Sequence, residues 1–465
     1  MVRTLFGASV AIHNVALIAL NYGIIDAYYC AIGAVMNILT LEAWLGQAWK
    51  SIATLTDVGG VGARGAVIVQ YDLDHALAWP MATNEAAVSA TIPVALTPQR
   101  FDAWPGFLCD LLPQGEARRR LAKHLNLAPH SGLSDWALLA HGAGNPIGHL
   151  RIREAHQWLC AQPTAHCSWT LDQILSRETS FLDALDDLGL SPQGSTQGEW
   201  PKILLAEDAH GQWHLDHDLE STRAVRHWIV KLARHDPDGQ FDLILRGEAA
   251  YHGLAVSLGM SAGEVRYQQG ALFIERFDRS MIGDFIIRTA QESLYSAAGC
   301  TGIDPTLNHL QACTQLAKVV SDVEATLLDY VWRDVLNLAL GNRDNHGRNT
   351  AIHREGDRIA LSPVFDLAPM LLHPDGISRR MRWYPDERSD PDWARVATLL
   401  EEAHILPAER LLNQLPVWAA TLENMPDHLA ALGCPEAVMR RITTDLNQTL
   451  TGLRRGIAWT NDLIG

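Results

Sequence analysis

The stretch that most constrains the fold of this chain is GNRDNHGRNTAIHREGDRIALSPVFDL, from Gly341 to Leu367. Asp344 and Asn349 stand five residues apart in a segment rich in Gly, Asn and Arg, a composition that favours a loop over a continuous helix. Two short apolar runs, TAIH and RIALSPV, flank the polar turn REGD, and this pattern predicts a β-hairpin. The hairpin would return Asp366 to the loop that holds Asp344 and Asn349.

These three polar side chains are the types that a phosphoryl-transfer site needs. Two carboxylates and a carboxamide can bind Mg²⁺, which prefers hard oxygen ligands, and one carboxylate can instead accept the proton of an attacking hydroxyl. In a protein kinase an Asp is the base, an Asn five residues later binds metal, and a further Asp binds metal after a hairpin. A solvated turn followed by an ordinary hairpin would match part of this pattern, so the other groups of such a site must be sought upstream.

Two charged residues upstream could bind the phosphates of a nucleotide. Lys231, in HWIVKLAR, is predicted near the end of an apolar strand, where a kinase has the cation that neutralises phosphate charge. Glu248 is predicted to open the following helix, GEAAYHGLAVSLGM, where a kinase has the acidic partner of that Lys. A strand Lys that extends its head into water and an exposed helix Glu are the alternative interpretations.

Two further segments fit nucleotide binding. SPQGSTQGEWPK places Gly194 and Gly198 before a strand, and a glycine-bearing turn can cover phosphates with its backbone N–H groups. GALFIERFDR is predicted to connect two lobes, with the adenine contacts at Glu275 and Phe277. Each feature has an ordinary structural explanation, but together they follow the order of a kinase.

The chain resembles the HipA family of Ser/Thr kinase toxins. The residues that carry the resemblance are GNRDNHGRN followed by LSPVFDL, the strand HWIVKLAR, the phrase IERFDR, LLPQGEARRRL nearer the N-terminus, and STQGEWPK. The resemblance runs from about residue 40 to the C-terminus. It implies an α+β, two-lobed protein-kinase-like fold with a mainly helical C-terminal lobe, preceded by a small α/β N-terminal subdomain.

The resemblance also implies roles for individual residues, with ATP and Mg²⁺ as cofactors. Asp344 would be the catalytic base, Asn349 and Asp366 the Mg²⁺ ligands, and Lys231 the phosphate-binding Lys with Glu248 as its partner. Ser195 matches the position that family members autophosphorylate, which switches the kinase off. The family's targets are aminoacyl-tRNA synthetases, and its usual partner is a helix-turn-helix antitoxin, HipB.

Composition and charge narrow the class of protein. A chain of 465 residues with 48% apolar and 19% charged residues is expected to form two or three globular domains. The net charge of −16 disfavours direct nucleic-acid binding. The 7 scattered cysteines favour a reducing cytoplasm over a disulfide framework.

The sequence predicts five segments along the chain. These are an apolar extension of unknown role at 1–39, a HipA-like N-terminal subdomain at 40–150, a linking helical segment at 151–190, a kinase N-lobe at 191–278 and a helical C-lobe at 279–465. The extension is almost uncharged, but His13, Asn14, Asn21, Asp26 and Asn37 interrupt it, so a membrane helix is disfavoured.

Several alternatives stay open at this level. The site would also suit a small-molecule phosphotransferase, or a non-catalytic pseudokinase that works through a helix-turn-helix partner. His156, Cys160, His166 and Cys167 could bind zinc, although their spacing matches no familiar finger. Arg118, Arg119 and Arg120 are interpreted as a solvated helix face, and Arg379, Arg380 and Arg382 as an activation segment that contacts substrate or serves the fold.

Overall fold

The computed structural model describes most of the chain downstream of residue 37. The described residues are 38–162, 168–187, 202–219, 223–233, 239–261, 263–283, 285–388 and 390–464. None of the helices in these ranges is both long and apolar enough to cross a membrane. The apolar extension predicted at 1–39 lies outside the described residues apart from its last two, which begin the first strand.

The N-terminal domain is built on an antiparallel five-stranded sheet of order β4-β3-β2-β1-β5. A two-residue turn, Gly46 and Gln47, joins the first two strands, and both residues have the positive φ that a tight hairpin of this kind requires. The strands are β1 Ile38–Leu45, β2 Ala48–Asp57, β3 Val67–Tyr71, β4 Gln99–Phe101 and β5 Leu150–Ile152. The helices are α1 Leu73–Ala78, α2 Gly106–Leu111, α3 Gly115–His124, α4 Asp135–Gly142 and α5 Arg153–Cys160.

The second sheet is antiparallel, of order β10-β11-β9-β7-β8-β6. Its core is strongly aromatic, with Trp169, Trp213, Trp228 and Phe273 buried together. The strands are β6 Ser168–Trp169, β7 Lys202–Asp208, β8 Trp213–Leu215, β9 Ala224–Leu232, β10 Val265–Gln268 and β11 Ala271–Glu275. The helices of this part are α6 Leu171–Leu175, α7 Thr179–Asp187 and α8 Gln240–Ser257.

The C-terminal lobe is mainly helical and packs around one large apolar core. Its strands form a hairpin, β12 Arg279–Ile282 and β13 Phe285–Arg288, and a three-stranded sheet, β14 Ala290–Ser293, β15 Ala351–Glu355 and β16 Arg358–Leu361. Its helices are α9 Leu294–Ala297, α10 His309–Val319, α11 Val323–Ala339, α12 Trp393–Glu402, α13 Ala408–Leu412, α14 Leu415–Glu423, α15 Met425–Ala431 and α16 Glu436–Ile464.

One sequence-based boundary differs from the structure. Strand β5 spans position 150 and pairs with β1, so a boundary between residues 150 and 151 cuts through the N-terminal sheet. This difference arises because a strand of three residues carries too little alternation to be recognised before its partner is known. In the described part of the segment predicted as a link, helix α5 packs on β1 of the first sheet and strand β6 pairs with β8 of the second.

Candidate active site

A buried ion-pair cluster lies between the second sheet and the helical lobe. Lys231 Nζ of β9 donates to Glu248 Oε1 of α8 at 2.6 Å and to Asp366 Oδ1 at 2.7 Å. Burial alone would lower the pKa of Lys231, but the charges of Asp366 and Glu248 outweigh burial and raise it. Lys231 therefore stays charged at any physiological pH, as a phosphate-binding cation must.

Sequence reasoning missed Lys202 as a member of this cluster. Lys202 begins β7 and stands directly opposite Lys231 in the β7–β9 register, and its Nζ donates to Asp366 Oδ2 at 2.5 Å. Like charges in directly opposed positions repel, so Asp366 is the group that makes this pairing tolerable. Burial alone would raise the pKa of Asp366, but Lys202 and Lys231 outweigh burial and lower it. Only strand register reveals this contact.

The position of Glu248 corrects one expectation. Helix α8 begins at Gln240, so Glu248 lies in its interior and does not open it. The predicted helix began at Gly247, seven residues after the actual start of α8. A Cβ at Gly247 would lie 2.6 Å from Pro369 Cγ, so this glycine permits α8 to approach the chain that follows Asp366. Glu248 nevertheless reaches Lys231, as the sequence-based hypothesis required.

The loop that carries Asp344 and Asn349 is closed by its own hydrogen bonds. Asn349 Nδ2 donates to the backbone oxygen of Asp344 at 2.7 Å, and Asn349 N donates to His346 O at 2.9 Å. Gly347 packs on Tyr295, whose ring would lie 2.5 Å from a Cβ at that position. The segment is irregular, as its composition predicted. Its own hydrogen bonds and the contact of Gly347 with Tyr295 hold its shape.

His346 shows that the loop and Asp366 face one region. Its Nε2 lies 3.6 Å from Asp344 Oδ1. Burial is the main cause that lowers the pKa of His346 to about 4, with Arg348 and Arg380 adding to it and Asp366 opposing it. The imidazole is therefore neutral at pH 7 and places no positive charge beside Asp344.

The hairpin β15–β16 returns the chain to the loop. Asn342 Nδ2 donates to the backbone oxygen of Asp366 at 3.3 Å, and Leu371 N donates to Gly341 O at 2.9 Å. Asp366 has a φ of 52°, an unusual left-handed conformation for a non-glycine residue. Such strain persists only where surrounding contacts hold it, and the two lysines and Asn342 supply those contacts.

The predicted connector between lobes runs past the same region. Glu275 ends β11, and its backbone N–H donates to Glu264 O at 2.9 Å. The rings of Phe277 and Phe365 have centroids 6.0 Å apart, which places Phe277 beside the residue that precedes Asp366. Adenine contacts at Glu275 and Phe277 stay a prediction, consistent with this placement.

A second buried carboxylate, Asp334 of α11, joins the loop to the chain beyond Asp366. It accepts from Asn345 Nδ2 at 3.1 Å, from Arg379 Nη2 at 2.8 Å and from Trp383 Nε1 at 2.9 Å. His309 Nε2 lies 3.4 Å from its Oδ1. This set was not recognised in the sequence, because its members come from four separated segments.

His309 gives a testable acid sensitivity. Burial lowers the pKa of His309 to about 4. Between pH 6.5 and pH 4 the unfolded chain therefore binds a proton on this ring, whereas the folded chain does not. Stability contributed by the neutral ring is therefore lost as pH falls from 6.5 to 4, by on the order of 3 kcal/mol. We expect His309→Gln to flatten that part of the stability–pH curve in urea unfolding, whereas His428→Gln on an exposed helix face should follow the wild type.

The arginine clusters differ in their surroundings. Arg118 and Arg120 are largely buried in ion pairs with Asp135 and Glu116, so a solvated face is the wrong interpretation for them. Arg379 binds Asp334 and Glu387, which makes it part of the fold. Arg380 is 67% exposed and faces solvent near His346.

Some predicted residues lie outside the described part of the chain. Gly194, Ser195 and Gly198 of the phosphate loop are among them, as are His166 and Cys167 of the possible zinc set. Within the described ranges, no three His, Cys, Asp or Glu side chains are grouped to hold a metal ion. Cys160 Sγ lies 3.6 Å from His156 Nε2, but these two side chains alone do not make a site.

The donors around Asp366 fit a nucleotide with its magnesium ion. Asp344, Asn349 and Asp366 provide hard oxygen atoms, and the buried Asn342 Oδ1 has no hydrogen-bond partner within the described residues. Lys231 and Lys202 supply cations beside them for phosphate oxygens. The lysines hold both oxygens of Asp366 in this structure, so a metal ion at Asp366 would have to displace at least one of these contacts.

Comparison with known proteins gives consistent results. A family model for the HipA-like C-terminal domain matches residues 194–425, and a model for the HipA N-terminal domain matches residues 55–153. A protein of Sinorhizobium fredii named "Putative kinase Y4mE" is 28% identical over 344 residues, which are 67% of this chain and 77% of the relative.

Among solved structures, the HipA chain of Shewanella oneidensis MR-1, determined with HipB and operator DNA, superposes with a TM-score of 0.62. The match covers 90% of this chain and 97% of that chain at 19% sequence identity. At this identity the likeness concerns the fold, and it agrees with the two-lobed kinase-like architecture predicted from the sequence.

Proposed function

Because the chain belongs to the HipA family, we propose that it is an ATP- and Mg²⁺-dependent serine/threonine protein kinase. The observation that carries the proposal is the position of Lys231 Nζ, 2.6 Å from Glu248 and 2.7 Å from Asp366. A cation held between a helix carboxylate and a second carboxylate is the arrangement with which protein kinases bind nucleotide phosphates and metal.

The proposed chemistry assigns one task to each group of this chain. Lys231 and Lys202 bind phosphate oxygens, while Asn349 and Asp366 hold Mg²⁺, which neutralises charge on the transferred group when it is bound. Asp344 accepts the proton of the attacking hydroxyl. His346, whose pKa burial lowers to about 4, is neutral at neutral pH and adds no positive charge beside this carboxylate.

The proposed biological role follows the family. We place Ser195 as the site of self-phosphorylation, a translation-related protein such as an aminoacyl-tRNA synthetase as the substrate, and a HipB-like helix-turn-helix protein as the partner. The Shewanella HipA structure contains HipB and operator DNA, which supports the partner. Together, the self-phosphorylation site, the substrate and the partner describe a growth-inhibiting toxin.

Incubation of the purified protein with γ-labelled ATP and Mg²⁺ tests the proposal. Mass spectrometry of the protein and of a treated cell lysate should find phosphate on Ser195 and on at least one lysate protein. The Asp366→Ala variant should show neither. Label on a small molecule instead of a protein would favour a small-molecule phosphotransferase, and nucleotide binding without transfer would favour a pseudokinase.

A further inference from the structure

A buried group of four charges surrounds the connector between the lobes. Arg276 donates to Asp278 Oδ1 at 2.9 Å through Nε and to Asp216 Oδ2 at 2.9 Å through Nη1. Arg279 Nη1 donates to Asp278 Oδ2 at 2.5 Å. The side chains of Arg276 and Asp216 are 0% exposed, and those of Arg279 and Asp278 are 1% and 2% exposed. Two guanidinium groups and two carboxylates thus neutralise each other without solvent.

The N-terminal domain supplies part of this group through the loop 145–148, which precedes β5. Gly148 N donates to Asp278 Oδ2 at 2.7 Å, and Asn145 Nδ2 donates to Asp216 Oδ2 at 2.7 Å. Gly148 O and Pro146 O accept from Arg279 at 2.8 and 3.3 Å. The N-terminal domain is therefore hydrogen-bonded directly to the segment that connects the two lobes.

Arg276 stands between the two residues predicted to contact adenine. The chain turns at Phe277 and Asp278, directly after Arg276, so the contacts of this guanidinium fix the point at which strand β11 passes into the turn. The backbone N–H of Arg276 also donates to His227 O at 2.8 Å. With its side chain held at both ends, the connector cannot rotate without breaking buried charged hydrogen bonds.

Asp278 is the carboxylate that accepts from both arginines and from the backbone of Gly148. Burial alone would raise its pKa, but Arg276 and Arg279 outweigh burial and lower it. Loss of one partner in such a group leaves a buried charge uncompensated, which is far more costly than the loss of an exposed pair. The group therefore specifies one conformation of the connector.

We infer that Asp278 and Asn145 are positioning residues for nucleotide binding: through the loop 145–148, the N-terminal domain holds Glu275 and Phe277 in the orientation that receives the base. This inference rests on the proposed function, since it assigns the connector to the nucleotide. Neither residue touches the nucleotide, so both act on affinity through the connector and not on the transfer step.

Isothermal titration of the full-length protein with the non-hydrolysable analogue AMP-PNP and Mg²⁺ tests the inference. We expect Asp278→Asn to weaken binding about tenfold and Asn145→Ala about threefold, with kcat at saturating ATP within about twofold of wild type. The matched control is Glu85→Ala, which removes another contact between the domains, from Gly356 N to Glu85 Oε2 at 2.9 Å, away from the connector. Its affinity should equal that of the wild type.

The outcomes separate this inference from the proposed function. A wild type that binds no nucleotide overturns both. A wild type that binds, with Asp278→Asn and Asn145→Ala binding equally well, overturns the positioning role alone. Equal weakening in Glu85→Ala would show a general loosening between domains and would also overturn it. If Asp278→Asn does not fold, Asn145→Ala decides, because it removes one hydrogen bond of a half-buried residue.

Discussion

Replacing Asp344 by Asn is expected to lower kcat for phosphoryl transfer by about a thousandfold while nucleotide affinity changes less than about threefold. General base catalysis contributes roughly 10²–10⁴ in rate, and the amide keeps the size of the carboxylate but cannot take up the proton. The backbone oxygen of Asp344, which accepts from Asn349 Nδ2 at 2.7 Å, is untouched, so the loop should keep its shape. Steady-state transfer of labelled phosphate, together with calorimetric binding of AMP-PNP, separates the two effects.

Asp357→Asn is the matched control for that experiment. Asp357 lies in the exposed turn of the hairpin β15–β16, thirteen residues further along the chain, and its backbone oxygen accepts from Ser321 Oγ. The same loss of charge there should leave kcat at the wild-type level. If Asp344→Asn kept more than about a tenth of the wild-type rate, Asp344 would not be the base and the assignment of the loop would fail.

Replacing Lys231 by Met is expected to have the largest effect on stability. The side chains of Lys231 and Glu248 are each 5% exposed, and removal of one partner of a buried pair costs about 3–5 kcal/mol because the other charge stays behind unpaired. Lys202→Met should cost less than about 1 kcal/mol, because Lys202 is 45% exposed and its pair with Asp366 is open to solvent. Urea unfolding at pH 7.5 measures both losses.

The pH dependence of stability in the Lys231→Met protein tests whether the unpaired charge of Glu248 causes the loss of stability. Burial already raises the pKa of Glu248, and Lys231 offsets only part of that rise. Without the lysine the folded chain should hold a proton on Glu248 up to a higher pH than the unfolded chain does. The variant should therefore lose stability as pH rises from 5 to 8. Lys231→Met combined with Glu248→Gln should recover most of the loss, and a double variant as unstable as the single one would refute the unpaired-charge explanation.

The sequence predicted the parts of the site that depend on local order. Asp344, Asn349 and Asp366 are joined by one loop and one hairpin, and hairpins carry clear signals in alternation and turn residues. Lys231 was found because an apolar strand rarely contains a charge without a partner. The family assignment came from the same stretches, and the match of both HipA domain models confirms it.

The sequence did not reveal contacts that depend on packing between distant segments. Lys202 joins Asp366 through the register of β7 against β9, and register is set by the whole sheet. The predicted helix began at Gly247, although this glycine lies inside α8 and permits the close approach of Pro369. Nothing in the sequence indicated that Asp216 and Asp278 bind the same arginine, Arg276, because 62 positions separate them and both lie in turns.

The amino-acid sequence by itself determined the order of the chemical groups and the resemblance to the family, and that resemblance implied the two-lobed architecture, because short motifs are local properties of a chain. Only the tertiary structure decided which charges neutralise one another. Lys202 and Lys231 share Asp366, Asp334 joins the loop to Arg379, and loop 145–148 reaches the connector. A buried charge is stable only beside an opposite one, so these pairings follow from which surfaces the folded chain brings into contact, and spacing along the sequence does not specify that.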